Sequence, residues 1–138
     1  MKWVHVLNNL TTYPTEKVQK LAGHRLISYA FCSRDKGGVQ FAADSAGKVV
    51  GYTIKINPDQ TRAECEVTLL HELFHLFVGT HHPEGQSMMQ YTDQLLYLFV
   101  EAEIDAATYR YQDLYPVFVR ELYDRHISVL CEKTKRQA

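Results

Sequence analysis

The sequence is poor in cysteine, and this scarcity excludes a large class of small proteins. Its three cysteines, Cys32, Cys65 and Cys131, are odd in number and far apart. A secreted disulfide framework is therefore a poor fit, and no C-x-x-C pair is present to build a zinc ribbon. A chain of this kind suits a reducing compartment, and we expect a cytoplasmic protein.

An excess of charge is also absent. The 15 Lys and Arg residues nearly balance the 16 Asp and Glu residues, which argues against a nucleic-acid partner. Long apolar runs are missing too, since Glu101 and Glu103 interrupt "LLYLFVEAEI". The N-terminal "MKWVHVLNNL" lacks the apolar centre of a signal peptide. We therefore expect neither a membrane partner nor an export signal.

The patterning of the chain predicts one α+β domain over residues 1–138, because 46% hydrophobic residues suffice for a real core. We predict strands at residues 3–7, 39–42 (after a Gly37-Gly38 turn) and 49–57. Four helices are predicted: one at about 15–31, one from the Thr61/Glu64 capping box to a stop at Gly79, one at 93–114 with Thr92 as its cap, and one at about 117–131. A polar tail follows over about 132–138.

An H-E-x-x-H motif, His71-Glu72-Leu73-Phe74-His75, is the most specific signal in the chain. Residues four apart on a helix project the same way, so both histidines can give a ring nitrogen to one zinc ion. Glu72, on the neighbouring flank, can act as general base towards a zinc-activated water and then as general acid. The apolar neighbours predict a buried helix, where histidines without partners would be costly.

Glu101 is the third zinc ligand that we favour. It lies in an apolar stretch of the next predicted helix, where a buried carboxylate needs the partner that zinc would provide. Asp105 follows on the same face and can accept the outer N–H of a ligand histidine. The alternative is a solvated acidic face, because acidic pairs at this spacing are common on helices.

His81 is the competing third ligand. Together with the H-E-x-x-H pair it has the ligand spacing of the metzincins, H-E-x-x-H-x-x-G-x-x-H, and Met89 lies where their methionine turn would fall. The glycine of that motif is replaced by Val78, and a β-branched residue suits a positive-φ turn poorly. A shifted turn could bring His81 or His82 back to the metal. Otherwise both are loop or rim histidines.

The motif and the later acidic helix together resemble the gluzincin pattern, and most closely that of small ImmA/IrrE-type metallopeptidases. In the sequence, "TIKIN" precedes "HELFH", and "EAEID" follows some 25 residues later. The resemblance covers about residues 50–116, with Ile104 and Asp105 in place of the family's alanine and asparagine. It implies a zincin-like domain with a small mixed sheet, in which zinc is bound by His71, His75 and Glu101.

We therefore expect a zinc-dependent peptidase that cleaves a protein or peptide substrate, with Glu72 as its catalytic base. By analogy with zincin folds, the strand at residues 49–57 is expected to form the rim of the cleft and to pair with an extended peptide. Three alternatives remain open: a compact metzincin-like peptidase that uses His81, a non-catalytic zinc-binding interaction module, and a toxin or immunity-type factor. A donor for the oxyanion is not singled out among the tyrosines and His126.

Overall fold

The computed structural model describes residues 10–78 and 91–137. Within these ranges the chain has a mixed α+β fold, as predicted. After a short 3-10 helix (Leu10–Thr12), the elements in chain order are α1 (Thr15–Ala22), β1 (Ile27–Phe31), β2 (Gly37–Ala43), β3 (Val49–Ile56), α2 (Arg62–Val78), α3 (Tyr91–Leu114), α4 (Pro116–Tyr123), a π-helical segment (Asp124–Ser128) and α5 (Val129–Gln137).

The sheet has the strand order β1-β3-β2. β1 is parallel to β3, with Ile27 opposite Tyr52 and Phe31 opposite Ile56. β2 is antiparallel to β3, with Gly37 opposite Ile56, and the register shifts between Ala42 and Ala43. The strand that follows the alternating sequence pattern most clearly, β3, is therefore the central one. Within the described part of the chain, β2 is an edge strand.

Two predictions for the first half of the chain were wrong. The helix predicted over residues 15–31 ends at Ala22, and Ile27–Phe31 is a strand. Gly23 follows the helix, and the β-branched and aromatic residues of "ISYAF" satisfy their backbone groups by pairing with β3. The Gly37-Gly38 pair was predicted as a turn, but it begins β2.

The helix that carries the H-E-x-x-H motif begins as predicted. The backbone N–H of Glu64 donates a hydrogen bond to Thr61 Oγ1 at 3.2 Å, which is the capping contact. α2 extends to Val78, and its predicted stop at Gly79 lies outside the described residues. α3 begins at Tyr91, so Thr92 lies inside this helix and is not its cap.

The C-terminal helices follow one another almost without interruption. α4 begins with Pro116 in its first turn, and the chain stays helical through the π-helical segment and α5 to Gln137. The prediction of a helix over about 117–131 was thus too short, and residues 132–137 are not an irregular tail. Among the described helices, none combines the length and the apolar composition needed to cross a membrane.

The core lies between the sheet and helices α2, α3 and α4. Phe74 of α2 packs edge-on against Tyr111 of α3, with ring centroids 5.4 Å apart. The fully buried apolar side chains around them include Ile54, Ile56, Leu69, Leu70, Leu73, Ile104 and Ile127. This layer holds the face of α2 with Glu72 and His75 against α3, so that few conformations are open to those polar side chains.

Gly37 allows β2 to pack directly on α2. A Cβ atom at this position would overlap the Thr68 Cγ2 methyl group and would lie 2.8 Å from the Lys55 carbonyl oxygen. It would also lie 3.7 Å from Glu72 Cγ, so the close approach occurs beside the H-E-x-x-H motif. Gly38, by contrast, has open space where its side chain would be. The first residue of β2 therefore sets how closely the edge strand approaches the helix.

Candidate metal centre

Two histidines of α2 project side by side, one helical turn apart. The rings of His71 and His75 have centroids 4.7 Å apart, and their Nε2 atoms are 3.0 Å apart. The side chain of His75 is 1% exposed and that of His71 is 12% exposed. Both rings are therefore shielded from most of the solvent, and both direct the same nitrogen towards one point.

Glu101 reaches the same point from α3. Its Oε1 atom lies 2.5 Å from His75 Nε2 and 3.3 Å from His71 Nε2. The three atoms form a compact triangle of two imidazole nitrogens and one carboxylate oxygen, a group that could hold a metal ion. The structure thus brings together three side chains that are up to 30 residues apart in the sequence.

Asp105 lies behind His71, on the side away from the triangle. Its Oδ1 atom is 2.9 Å from His71 Nδ1. Because a carboxylate accepts, Nδ1 carries the proton, and the lone pair of the neutral ring is then on Nε2. This is the contact that the sequence predicted between Asp105 and one ligand histidine. It fixes both the tautomer and the ring orientation that metal binding needs.

The triangle has the donor types of a zinc site and nearly its spacing. Tetrahedral zinc holds nitrogen and oxygen ligands at about 2.0–2.1 Å, which places the ligand atoms about 3.3–3.4 Å from one another. The His71–Glu101 edge is 3.3 Å and the His71–His75 edge is 3.0 Å, while the His75–Glu101 edge is 2.5 Å. Glu101 would have to retreat from His75 by less than about 1 Å to complete the geometry. Two histidines and a glutamate are also a donor set of catalytic zinc sites.

The environment of His71 has opposing effects on its charge. Burial lowers the pKa of this histidine, but the hydrogen bond and charge of Glu101, with the charges of Glu72 and Asp105, outweigh it. The net result is a pKa raised above the ordinary 6.5. Since Nδ1 is bound to Asp105, the additional proton would be on Nε2, the atom that points into the triangle.

Glu72 lies next to the triangle without belonging to it. Its side chain is 2% exposed, and it lines, together with His71, a groove of about 1260 Å³. The groove is lined by residues of α2, of α3, of the first half of β2 with the three residues before it, and by Lys55 of β3. Its lining residues include Gly37, Thr68, His71, Glu72, Glu101 and Asp105.

The prediction that the strand at residues 49–57 pairs with an extended peptide was wrong. β3 is the central strand and pairs on both sides, so its backbone is not available to an added peptide. β2 borders the groove instead, through Gly37, Gly38, Val39 and Gln40. The two glycines at the start of β2 led to the prediction of a turn there. The order of strands in a sheet depends on pairing between distant segments, which a local sequence pattern does not encode.

Several residues considered from sequence remain without a structural account. His81, His82 and Met89 lie outside the described residues, so the alternative third ligand is not tested. Among the candidate oxyanion donors, Tyr109 lines the groove, whereas His126 stacks on Tyr29 with centroids 4.7 Å apart and is not among the lining residues.

Comparisons of the chain with protein-family models, with curated proteins and with solved structures found no match. What the site can do is therefore argued from its own residues and distances.

Proposed function

We propose that the protein is a zinc-dependent peptidase with a zincin-like domain. The observation that carries the proposal is the convergence of His71 Nε2, His75 Nε2 and Glu101 Oε1 on one point, with the His71 ring fixed by Asp105. A zinc ion held by these three side chains would keep one position for water, as catalytic zinc sites do. Local sequence resemblance to gluzincin-type peptidases, through "HELFH" and "EAEID", supports the same assignment.

The chain also supplies a general base for hydrolysis. Zinc, when bound, lowers the pKa of water and polarises a substrate carbonyl. The Glu72 carboxylate accepts a proton from the attacking water and then gives it to the nitrogen of the leaving amine. Because Glu72 is 2% exposed and surrounded by packed side chains, its carboxylate is held in one place beside the ligand triangle.

The shape of the groove favours an extended peptide as substrate. Its lining along α2 extends from Ala63 to Glu72, a rise of about 14 Å at ~1.5 Å per residue. An extended chain advances about 3.3 Å per residue, so this length holds about four residues. Its volume of about 1260 Å³ exceeds the ~300–1,000 Å³ of typical small-ligand pockets, which suits a segment of a longer chain.

Metal dependence is the first test of this function. The purified protein should contain about one zinc ion per chain, and it should cleave a mixture of unstructured peptides. Treatment with a chelator should abolish cleavage, and one equivalent of zinc should restore it. Elemental analysis and mass spectrometry of the peptides measure the two quantities. Cleavage that survives complete removal of metal would refute the proposal. A protein that binds no zinc when zinc is supplied would refute it as well.

Protons should compete with zinc at His71 Nε2. Since the pKa of His71 is raised, the ring becomes protonated at a higher pH than an ordinary histidine does as the solution is acidified. Zinc binding should weaken over that same range, because the metal needs the neutral ring.

Asp105 should strengthen zinc binding without touching the metal. We expect Asp105→Ala to weaken zinc affinity by about 10- to 100-fold, because the His71 ring loses the acceptor that fixes its tautomer. Competition with a fluorescent zinc chelator measures the change. Asp113→Ala is the matched control, since Asp113 is also exposed on α3 but does not line the groove. Equal affinities for the two variants would contradict the role given to Asp105.

A further inference from the structure

The two sides of the groove carry different charges. On the side of the sheet, Arg34, Lys36 and Lys55 line it, with Asp35 as the carboxylate among them. We call these four residues the basic wall; its formal net charge is three minus one, or +2. On the helical side the lining acids are Glu64, Glu72, Glu101 and Asp105.

The acids of the helical side are largely committed to the metal centre. Glu101 and Asp105 contact the two histidines, and Glu72 is buried beside them. The cations of the basic wall are not committed in this way. Within the described residues, no ion pair joins Arg34, Lys36 or Lys55 to a carboxylate. Their charge is thus available to a molecule in the groove.

The backbone of the basic wall is anchored to the start of α2. The carbonyl oxygen of Lys36 accepts hydrogen bonds from the Asn57 backbone N–H and from Gln60 Nε2, both at 2.9 Å. Gln60 Oε1 in turn accepts a bond from Thr68 Oγ1 at 3.4 Å, and Thr68 lies one turn before His71. The cations are therefore presented from a segment held in place relative to the metal centre.

The basic wall also lies close to Glu72. Gly37 follows Lys36 directly in the chain, and a Cβ atom at Gly37 would lie 3.7 Å from Glu72 Cγ. Arg34, Lys36 and Lys55 also line the same groove as Glu72. A substrate side chain that contacts this wall would belong to a residue near the cleaved bond.

We propose that the basic wall selects peptides with an acidic side chain within about four residues of the cleaved bond. This inference rests on the proposed peptidase function and assigns its substrate class. The carboxylate of a substrate Asp or Glu would pair with the guanidinium of Arg34 or the ammonium groups of Lys36 and Lys55. Neutral peptides would still fit the groove, but they would lack these pairs.

Peptide binding tests the proposal without relying on turnover. Zinc-loaded Glu72→Gln protein would be titrated, by NMR of its backbone amides, with three eight-residue peptides that differ only in having Glu, Gln or Lys at the same two positions. We expect the Glu peptide to bind on the order of tenfold more tightly than the Gln peptide at low salt, with Lys weakest. The preference should shrink as the salt concentration rises.

A charge-matched control separates the basic wall from overall charge. In the same Glu72→Gln background, one variant combines Arg34→Gln, Lys36→Gln and Lys55→Gln. The control combines Arg25→Gln, Lys20→Gln and Lys48→Gln, which are exposed and do not line the groove. Because Lys55 is half-buried, the Arg34/Lys36 double variant is a second test that leaves the sheet unchanged.

The proposal stands if the groove variants lose the preference for Glu and the control keeps it. It is overturned if the unsubstituted wall shows no preference, if Lys peptides bind best, or if the two triple variants lose the preference equally. These results are separable from the peptidase test. Cleavage without an acidic preference would support the peptidase function and refute the proposed specificity. An acidic preference in binding, without cleavage by the unsubstituted protein, would support the role of the basic wall and refute the peptidase function.

Discussion

Replacing Glu72 by glutamine should abolish peptide hydrolysis and leave the zinc in place. Glutamine has nearly the size of glutamate, so the tightly packed site should accept it, and Glu72 is not part of the ligand triangle. An amide, however, has no basic oxygen to take a proton from water. Loss of a general acid–base group typically costs about 10²–10⁴ in rate.

The measurement is cleavage rate and zinc content on the same preparation. Glu66→Gln is the matched control, because Glu66 is also a nearly buried carboxylate of α2, but it pairs with Arg62 and is not a lining residue of the groove. It should retain its activity. Unchanged turnover in the Glu72→Gln protein would show that another group is the base, and joint loss of zinc would show that Glu72 supports the metal.

Replacing Glu101 by alanine should release the zinc. The substitution removes one of three converging donor atoms and leaves the two imidazoles of α2 to hold the ion alone. We expect zinc affinity to fall by more than about 100-fold. This loss is larger than the one expected for Asp105→Ala, because Asp105 contacts a ligand histidine and not the metal. Elemental analysis after extensive dialysis would detect this as a chain with much less than one zinc.

The control for this substitution lies two residues away. Glu103 is exposed on α3 and does not line the groove, so Glu103→Ala should keep its zinc. His81→Ala decides between the alternatives. If His81→Ala loses zinc and Glu101→Ala keeps it, the compact metzincin-like arrangement is correct. If each loses it, a closed four-ligand site is favoured, and with it the non-catalytic zinc-binding module.

The candidate site could be predicted from sequence to the extent that helical periodicity determines it. The four-residue spacing places His71 and His75 on one face of α2, and the same spacing places Glu101 and Asp105 on one face of α3. The contact between the two faces was inferred from the cost of burying charges without partners. In the structure these faces meet.

The sheet was harder to predict, because its stability depends on pairing between distant segments. Residues 27–31 continue an apolar pattern compatible with a helix, and only their partnership with β3 makes them a strand. Likewise, nothing local in "GGVQFAA" marks β2 as the edge of the sheet beside α2. The basic wall was missed for the same reason, since its cations come from two segments that pairing brings together.

The absence of a side chain at Gly37 sets the distance between β2 and α2. Since a methyl group there would collide with Thr68 and the backbone of β3, the width between strand and helix is limited by one hydrogen atom. A larger residue at Gly37 would therefore force β2 and α2 apart, whereas Gly38 has open space for a side chain.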